Sequence, residues 1–222
     1  MFNRIPQTMD QLLDSLLLIG PILLCLTIHE LAHGVVAYKL GDETAKREGR
    51  LTLNPLKHID PIGLLMMFIV RFGWAKPVPV NPYNLKKPKR DMALIALAGP
   101  VSNFLLAFVI LLFQVPVMRL LAGGGAGAQV GSLILAGASI SVFFGIFNLL
   151  PIPPLDGSKV LFSFLPGRQY GQLMRYERYG SFVLLALIWF GFTAIVLEPI
   201  FVAAFELLAF ATFPISRLIF GG

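Results

Sequence analysis

Long apolar runs alternate with short polar connections along most of this chain. Five stand out: Leu12–Leu40, Met92–Leu121, Val130–Leu150, Tyr179–Leu197 and Pro199–Ile219. Each is close to the ~20 residues that cross a hydrocarbon core as a helix. The pattern predicts an all-α polytopic membrane protein of about five transmembrane helices. The last two runs are nearly continuous, and Glu198-Pro199 is the expected break, because the residue before a proline is biased away from helix. The first run follows Arg4 like a secretory leader, but no small-x-small cleavage site follows it, so it reads as a retained span.

The connection between the first two runs, residues 41–91, is not an ordinary loop. Arg50-Leu51-Thr52-Leu53 alternates polar and apolar positions like a short strand. Pro61–Val70 is apolar but too short to cross, and Trp74-Ala75-Lys76-Pro77-Val78-Pro79-Val80 carries prolines that deny it a central strand position. Two readings fit. One is a small re-entrant β-hairpin with an open edge, which would line a site because non-helical backbone at membrane depth needs cover from protein or a watery cavity. The other is an interfacial loop resting on head groups.

Composition agrees with the membrane reading. Of 222 residues, 56% are hydrophobic and 14% charged, whereas soluble domains carry ~25% charged residues. One domain is expected over residues 1–222, with a core at about 12–165 and two further C-terminal spans at about 179–219. The single Cys25 cannot form an internal disulfide. The net charge of +6 does not point to nucleic acid, because the basic residues sit in connections beside the apolar runs. Sixteen of the eighteen Lys and Arg residues fall in the connections after the first and third runs or at Arg217, leaving Arg4 and Arg119 on the other side. The positive-inside bias then predicts a multi-pass protein of the cell membrane with a cytoplasmic C-terminus.

Within the first run lies His29-Glu30-Leu31-Ala32-His33. Residues four apart on a helix stand one above the other, so both imidazoles can face one Zn²⁺, while Glu30, about 100° around, can reach a water at that ion. Ionisable groups at membrane depth cost ~2.5–3.5 kcal/mol and mark functional sites. Such a centre needs a third protein ligand and leaves a fourth position for water. Asp156, in the proline-rich stretch after the third run, approaches from the same side; His58 is the rival. A metal or proton transporter would explain the same cluster, but it would show internal repeats and a path open to both faces. No repeat is present, and Leu12–Ile28 offers only Asp14 as a charge.

Jointly, His-Glu-x-x-His at 29–33, Gly-Trp-Ala-Lys-Pro-Val-Pro-Val at 73–80, Ala-Gly-Pro-x-x-Asn at 98–103 and the stretch from Asn148 to Gly157 resemble the site-2 protease family of intramembrane zinc metalloproteases. The resemblance covers most of residues 15–165. It implies one zinc held by His29, His33 and Asp156, Glu30 as general base, and a three-helix catalytic core. It also implies cleavage of a substrate's transmembrane segment near the cytoplasmic face, the step of regulated intramembrane proteolysis. Asn148 resembles the family asparagine that helps hold the substrate backbone or transition state, and Asn103, which closes the Ala-Gly-Pro motif, is placed with it as a substrate or transition-state residue. Residues 74–80 resemble the family's re-entrant strand, where Val78 and Val80 would pair with an unwound substrate. The form is minimal, without the PDZ or CBS modules of many relatives. The implied partners are a transmembrane protein substrate and membrane lipid; a homodimer is left open.

Overall fold

The computed structural model describes residues 16–63, 75–121 and 127–220. Its long helices are α1 (Ile19–Lys39), α2 (Pro88–Leu121), α3 (Gly127–Asn148), α5 (Gly167–Trp189) and α6 (Phe192–Phe220), with a short α4 (Asp156–Ser163) between α3 and α5. The expected all-α class holds. Among the described residues four helices are long and apolar enough to cross a membrane: α1, α2, α3 and α6.

Local chemistry sets the helix ends. Lys39 is followed by Gly41 at φ 108°, a left-handed position that lets the Gly41 and Asp42 N–H groups fold back onto the Tyr38 and Ala37 carbonyls. Pro88 begins α2, where its missing N–H costs nothing, and the Asp91 carboxylate accepts from the Lys87 N–H at 2.9 Å. Along α2 the sorting of faces suits lipid. Leu97, Val101, Leu105, Val109 and Phe113 form an exposed apolar stripe, whereas the buried stripe holds Gly99, Asn103, Ala107 and Leu111. Small and polar residues thus face neighbouring helices, as membrane helix packing favours. α2 lies against α3, α1, α4 and α6. Ala107, Val142, Ile146 and Leu197 form the central core, flanked by Phe104, Phe201 and Phe205.

Three expectations change. The break between the last two runs falls at Gly191, whose φ of 71° makes the reversal, and Pro199 lies inside α6. Prolines are tolerated in membrane helices because neighbouring groups satisfy the freed carbonyl. The expected fourth span keeps only Tyr179–Trp189 as an apolar helix stretch. At 1.5 Å per residue it is about half the ~30 Å core, because the preceding turns of α5 carry Arg168, Arg175, Glu177 and Arg178. Finally, the end of the chain lies away from the Lys39 and Pro88 ends of α1 and α2. Phe213 lines a cavity with Gln114, Val115, Met118 and Arg119, and the Phe220 ring is 5.3 Å from that of Phe113. Sequence patterning expects the C-terminus on the face of the 41–91 connection; here the end of α6 packs beside the Leu121 end of α2.

The 41–91 connection forms no β-hairpin among its described residues. It has one isolated antiparallel bridge, Ile59 to Ala75, followed by residues 76–80 without regular secondary structure. Most of Pro61–Val70 and Trp74 lie outside the described residues, as do the glycines at 123–125.

Candidate metal centre

His29 and His33 project from α1 toward α2, with ring centroids 4.6 Å apart in an edge-to-face arrangement. The feature that admits them is Gly99. A Cβ at that position would lie 2.5 Å from His29 Cε1 and from His33 Cε1 and Nε2. Gly99 is therefore a seat for both rings.

Asp156 arrives from the opposite side. α3 ends at Asn148, the chain turns through Pro151, Pro153 and Pro154, and Asp156 begins α4. Gly157 allows the turn to close: a Cβ there would meet the Leu149 carbonyl oxygen at 2.1 Å. One carboxylate oxygen of Asp156, Oδ2, then lies 3.1 Å from both His29 Nε2 and His33 Nε2. All three residues are buried, at 6%, 9% and 7% exposure. Lys159 stands 3.9 Å from the other oxygen.

The groups behind the rings fix which nitrogens face inward. His33 Nδ1 is 2.7 Å from the Ile95 carbonyl, an acceptor only, so Nδ1 carries the proton and Nε2 presents its lone pair. His29 Nδ1 is 3.2 Å from the Asn103 amide. Asn103 is fully buried, its Oδ1 has no partner, and its own carbonyl accepts from Ser141 Oγ at 2.9 Å. Amide O and N are an assignment, and turning this amide puts the orphaned Oδ1 on a His29 Nδ1–H. With both Nδ1 atoms protonated, the two Nε2 lone pairs converge with the Asp156 carboxylate, the donor set of a cation site. Ligands 2.0–2.1 Å from a tetrahedral ion stand ~3.3 Å apart, close to the two separations found here. The set fits zinc, with partners behind both rings of the kind that orient metal ligands.

Other sequence candidates find different places. His58 is fully buried and pairs through Nε2 with the Thr52 carbonyl at 2.9 Å, outside the cluster. Asn103, expected near substrate, stands behind His29 instead. Asn148 donates from Nδ2 to the Phe144 carbonyl of its own helix at 3.0 Å. Val78 is buried, and its N–H donates to Glu30 Oε2 at 2.8 Å rather than to an open edge. Val80 packs against Ala37, Leu85 and Ile95. Sequence reasoning missed Gly99 as a seat, the Ile95 carbonyl as an anchor, and Arg50. A glycine in an apolar helix facing a histidine pair was the only available signal for the first.

A multi-pass helical bundle with a buried His-His-carboxylate set beside a glutamate held by a backbone N–H defines a membrane protein with a metallopeptidase-type centre. Comparison with known proteins agrees. The profile of peptidase family M50 matches residues 116–191, which include Asn148 and Asp156. YwhC of Bacillus subtilis, named a zinc metalloprotease, is 42% identical over 174 residues, covering 77% of this chain and 78% of its own. Rip2 of Mycolicibacterium smegmatis, similarly named, is 30% identical over 184 residues, covering 78% and 66%. MJ0611 of Methanocaldococcus jannaschii is 36% identical over 137 residues, covering 60% and 62%. No solved structure gives a significant match. The chain belongs to peptidase family M50, the site-2 type of zinc metalloprotease.

Proposed function

We propose that this protein hydrolyses a peptide bond within or near the transmembrane segment of a membrane protein, the cutting step of regulated intramembrane proteolysis, in the cell membrane and with its site toward the cytoplasm. The observation that carries the reading is the convergence of two Nε2 atoms and one carboxylate oxygen beside Glu30 inside a bundle of apolar helices. His29, His33 and Asp156 would hold one zinc per chain. The ion supplies Lewis acidity and an acidified water.

The chain's own groups do the rest. Glu30 Oε2 is anchored by the Val78 N–H, so Oε1 takes the proton from the attacking water and returns it to the leaving amine. Asn103 and the Ile95 carbonyl keep both imidazoles in the tautomer that presents Nε2. Asn148 holds the unwound substrate backbone, exchanging the Phe144 carbonyl for one of the substrate's.

The test uses purified protein in liposomes with a fluorescently tagged transmembrane reporter. Zinc per chain and reporter fragments are measured for wild type, Asp156→Ala and His58→Ala. Wild type and His58→Ala should hold one zinc and cut the reporter, and Asp156→Ala should lose both properties. Retention of zinc and cleavage by Asp156→Ala would remove the ligand assignment. Zinc flux across the vesicle without cleavage would establish transport instead.

A further inference from the structure

We propose that Arg50 is a positioning residue for Glu30, acting through the single peptide group that joins Pro77 to Val78. The proposal rests on reading Glu30 as the general base. Pro77 and Pro79 have no N–H, so Val78 carries the only backbone donor of that stretch, and it donates to Glu30 Oε2 at 2.8 Å. The opposite end of the same peptide group faces a cation. Arg50 Nη2 donates to the Pro77 carbonyl at 3.2 Å and to the Lys76 carbonyl at 2.7 Å. Guanidinium, peptide and carboxylate therefore stand in series, with the peptide dipole of ~3.5 D running from its carbonyl at the cation to its N–H at the anion. Each contact polarises the peptide in the sense that strengthens the other.

The setting of Arg50 makes fold support alone a poor explanation. Its residue is 5% exposed, no carboxylate lies within ion-pairing distance among the described residues, and its Nε is buried without a partner. A buried cation without a counter-ion is costly. The peptide reaches Glu30 because Gly34, next after His33, leaves room: a Cβ there would already be 3.2 Å from Val78 Cγ1. The far end of the segment has its own anchor, since Asp42 accepts from the Asn81 N–H at 2.7 Å and from Asn84 Nδ2 at 2.8 Å. Arg50 is thus not needed merely to attach the segment.

The test uses the full zinc-loaded chain in detergent with the transmembrane reporter, comparing Arg50→Met and Arg50→Lys, each alone and combined with Glu30→Gln. Arg50→Met should keep wild-type zinc content and KM while kcat falls ~10- to 100-fold, the scale on which a misplaced catalytic group costs rate. Arg50→Lys, which keeps the charge and one carbonyl contact, should fall between. In the Glu30→Gln background Arg50→Met should change the residual rate by less than ~2-fold, because the group it positions is gone. An unchanged kcat, an equal loss in both backgrounds, or loss of zinc and fold in both Arg50 variants overturns the proposal, the last two making Arg50 a general support. Full activity in Glu30→Gln alone would instead remove the base assignment, and the proposal with it, before any Arg50 variant is consulted.

Discussion

Adding one methyl group at Gly99 should damage the metal centre while favouring the helix that carries it. Alanine in place of glycine gains ~1 kcal/mol of helix propensity in α2. Against this, the new Cβ would lie 2.5 Å from three ring atoms of His29 and His33, whereas ordinary contact begins at 3.4 Å. Both rings must retreat by roughly 0.9 Å, several times the ~0.2 Å that separates a good metal ligand from a poor one. Overpacking a tight site costs ~1–3 kcal/mol, which at 1.4 kcal/mol per decade is a zinc affinity ~5- to 150-fold weaker. The assay is zinc retained per chain in detergent against a graded chelator. Gly20→Ala, where no atom lies within 4 Å of the new Cβ, is the control and should match wild type. Gly34→Ala should fall between, because its nearest neighbour at 2.6 Å is the movable tip of Leu51. Wild-type zinc affinity in Gly99→Ala would refute the seating of the two rings on α2.

Asn103→Leu should lower zinc affinity ~10- to 100-fold, the usual cost of losing a partner behind a metal-bound histidine, while the reporter's KM stays unchanged; chelator competition and steady-state kinetics check the two parts. Asp42 lies outside the spans, and although its burial pushes the carboxyl up, hydrogen bonds from Thr44, Asn84 and Asn81 hold it below its ordinary value on balance. With the folded-state value depressed, its contribution is complete above the unfolded value of ~3.9 and is lost as pH falls through the lowered one. Thermal unfolding should show Asp42→Ala less stable by ~2 kcal/mol at neutral pH, with the gap narrowing below about pH 4. The packing of the end of α6 beside the Leu121 end of α2 is checked by placing single cysteines at Lys46 and Arg217 in a Cys25→Ala background: an impermeant thiol reagent should reach them from opposite faces of sealed vesicles.

Much of this architecture was legible before any coordinates, and the rest was hidden for physical reasons. Length and apolarity announce α1, α2 and α3, and the i, i+4 spacing of His29 and His33 puts both on one helix face. Asp156 was legible because prolines at 151, 153 and 154 stop α3 just where a third ligand is required. The last two runs misled because hydropathy averages over a window. It joined Tyr179–Trp189 to the start of α6 across Gly191, whose positive φ leaves no hydrophobic signature. Pairings across distant segments were also invisible. Nothing in the spacing of Arg50, Pro77 and Val78 shows that one peptide group meets a cation on one side and Glu30 on the other. The same limit applies to the strand edge expected at Val78: alternation tells which side chains share a face, not that the Val78 N–H has found Glu30.

The central claim is that Glu30 drives peptide hydrolysis at a centre it does not itself ligate. The most direct measurement compares wild type and Glu30→Gln on a transmembrane reporter in liposomes, with zinc determined on the same samples and product termini read by mass spectrometry. Both proteins should hold equal zinc. Wild type should release fragments whose new termini lie in the reporter's membrane segment, and Glu30→Gln should do so at least ~100-fold more slowly. Equal cleavage rates at equal zinc content would contradict the account.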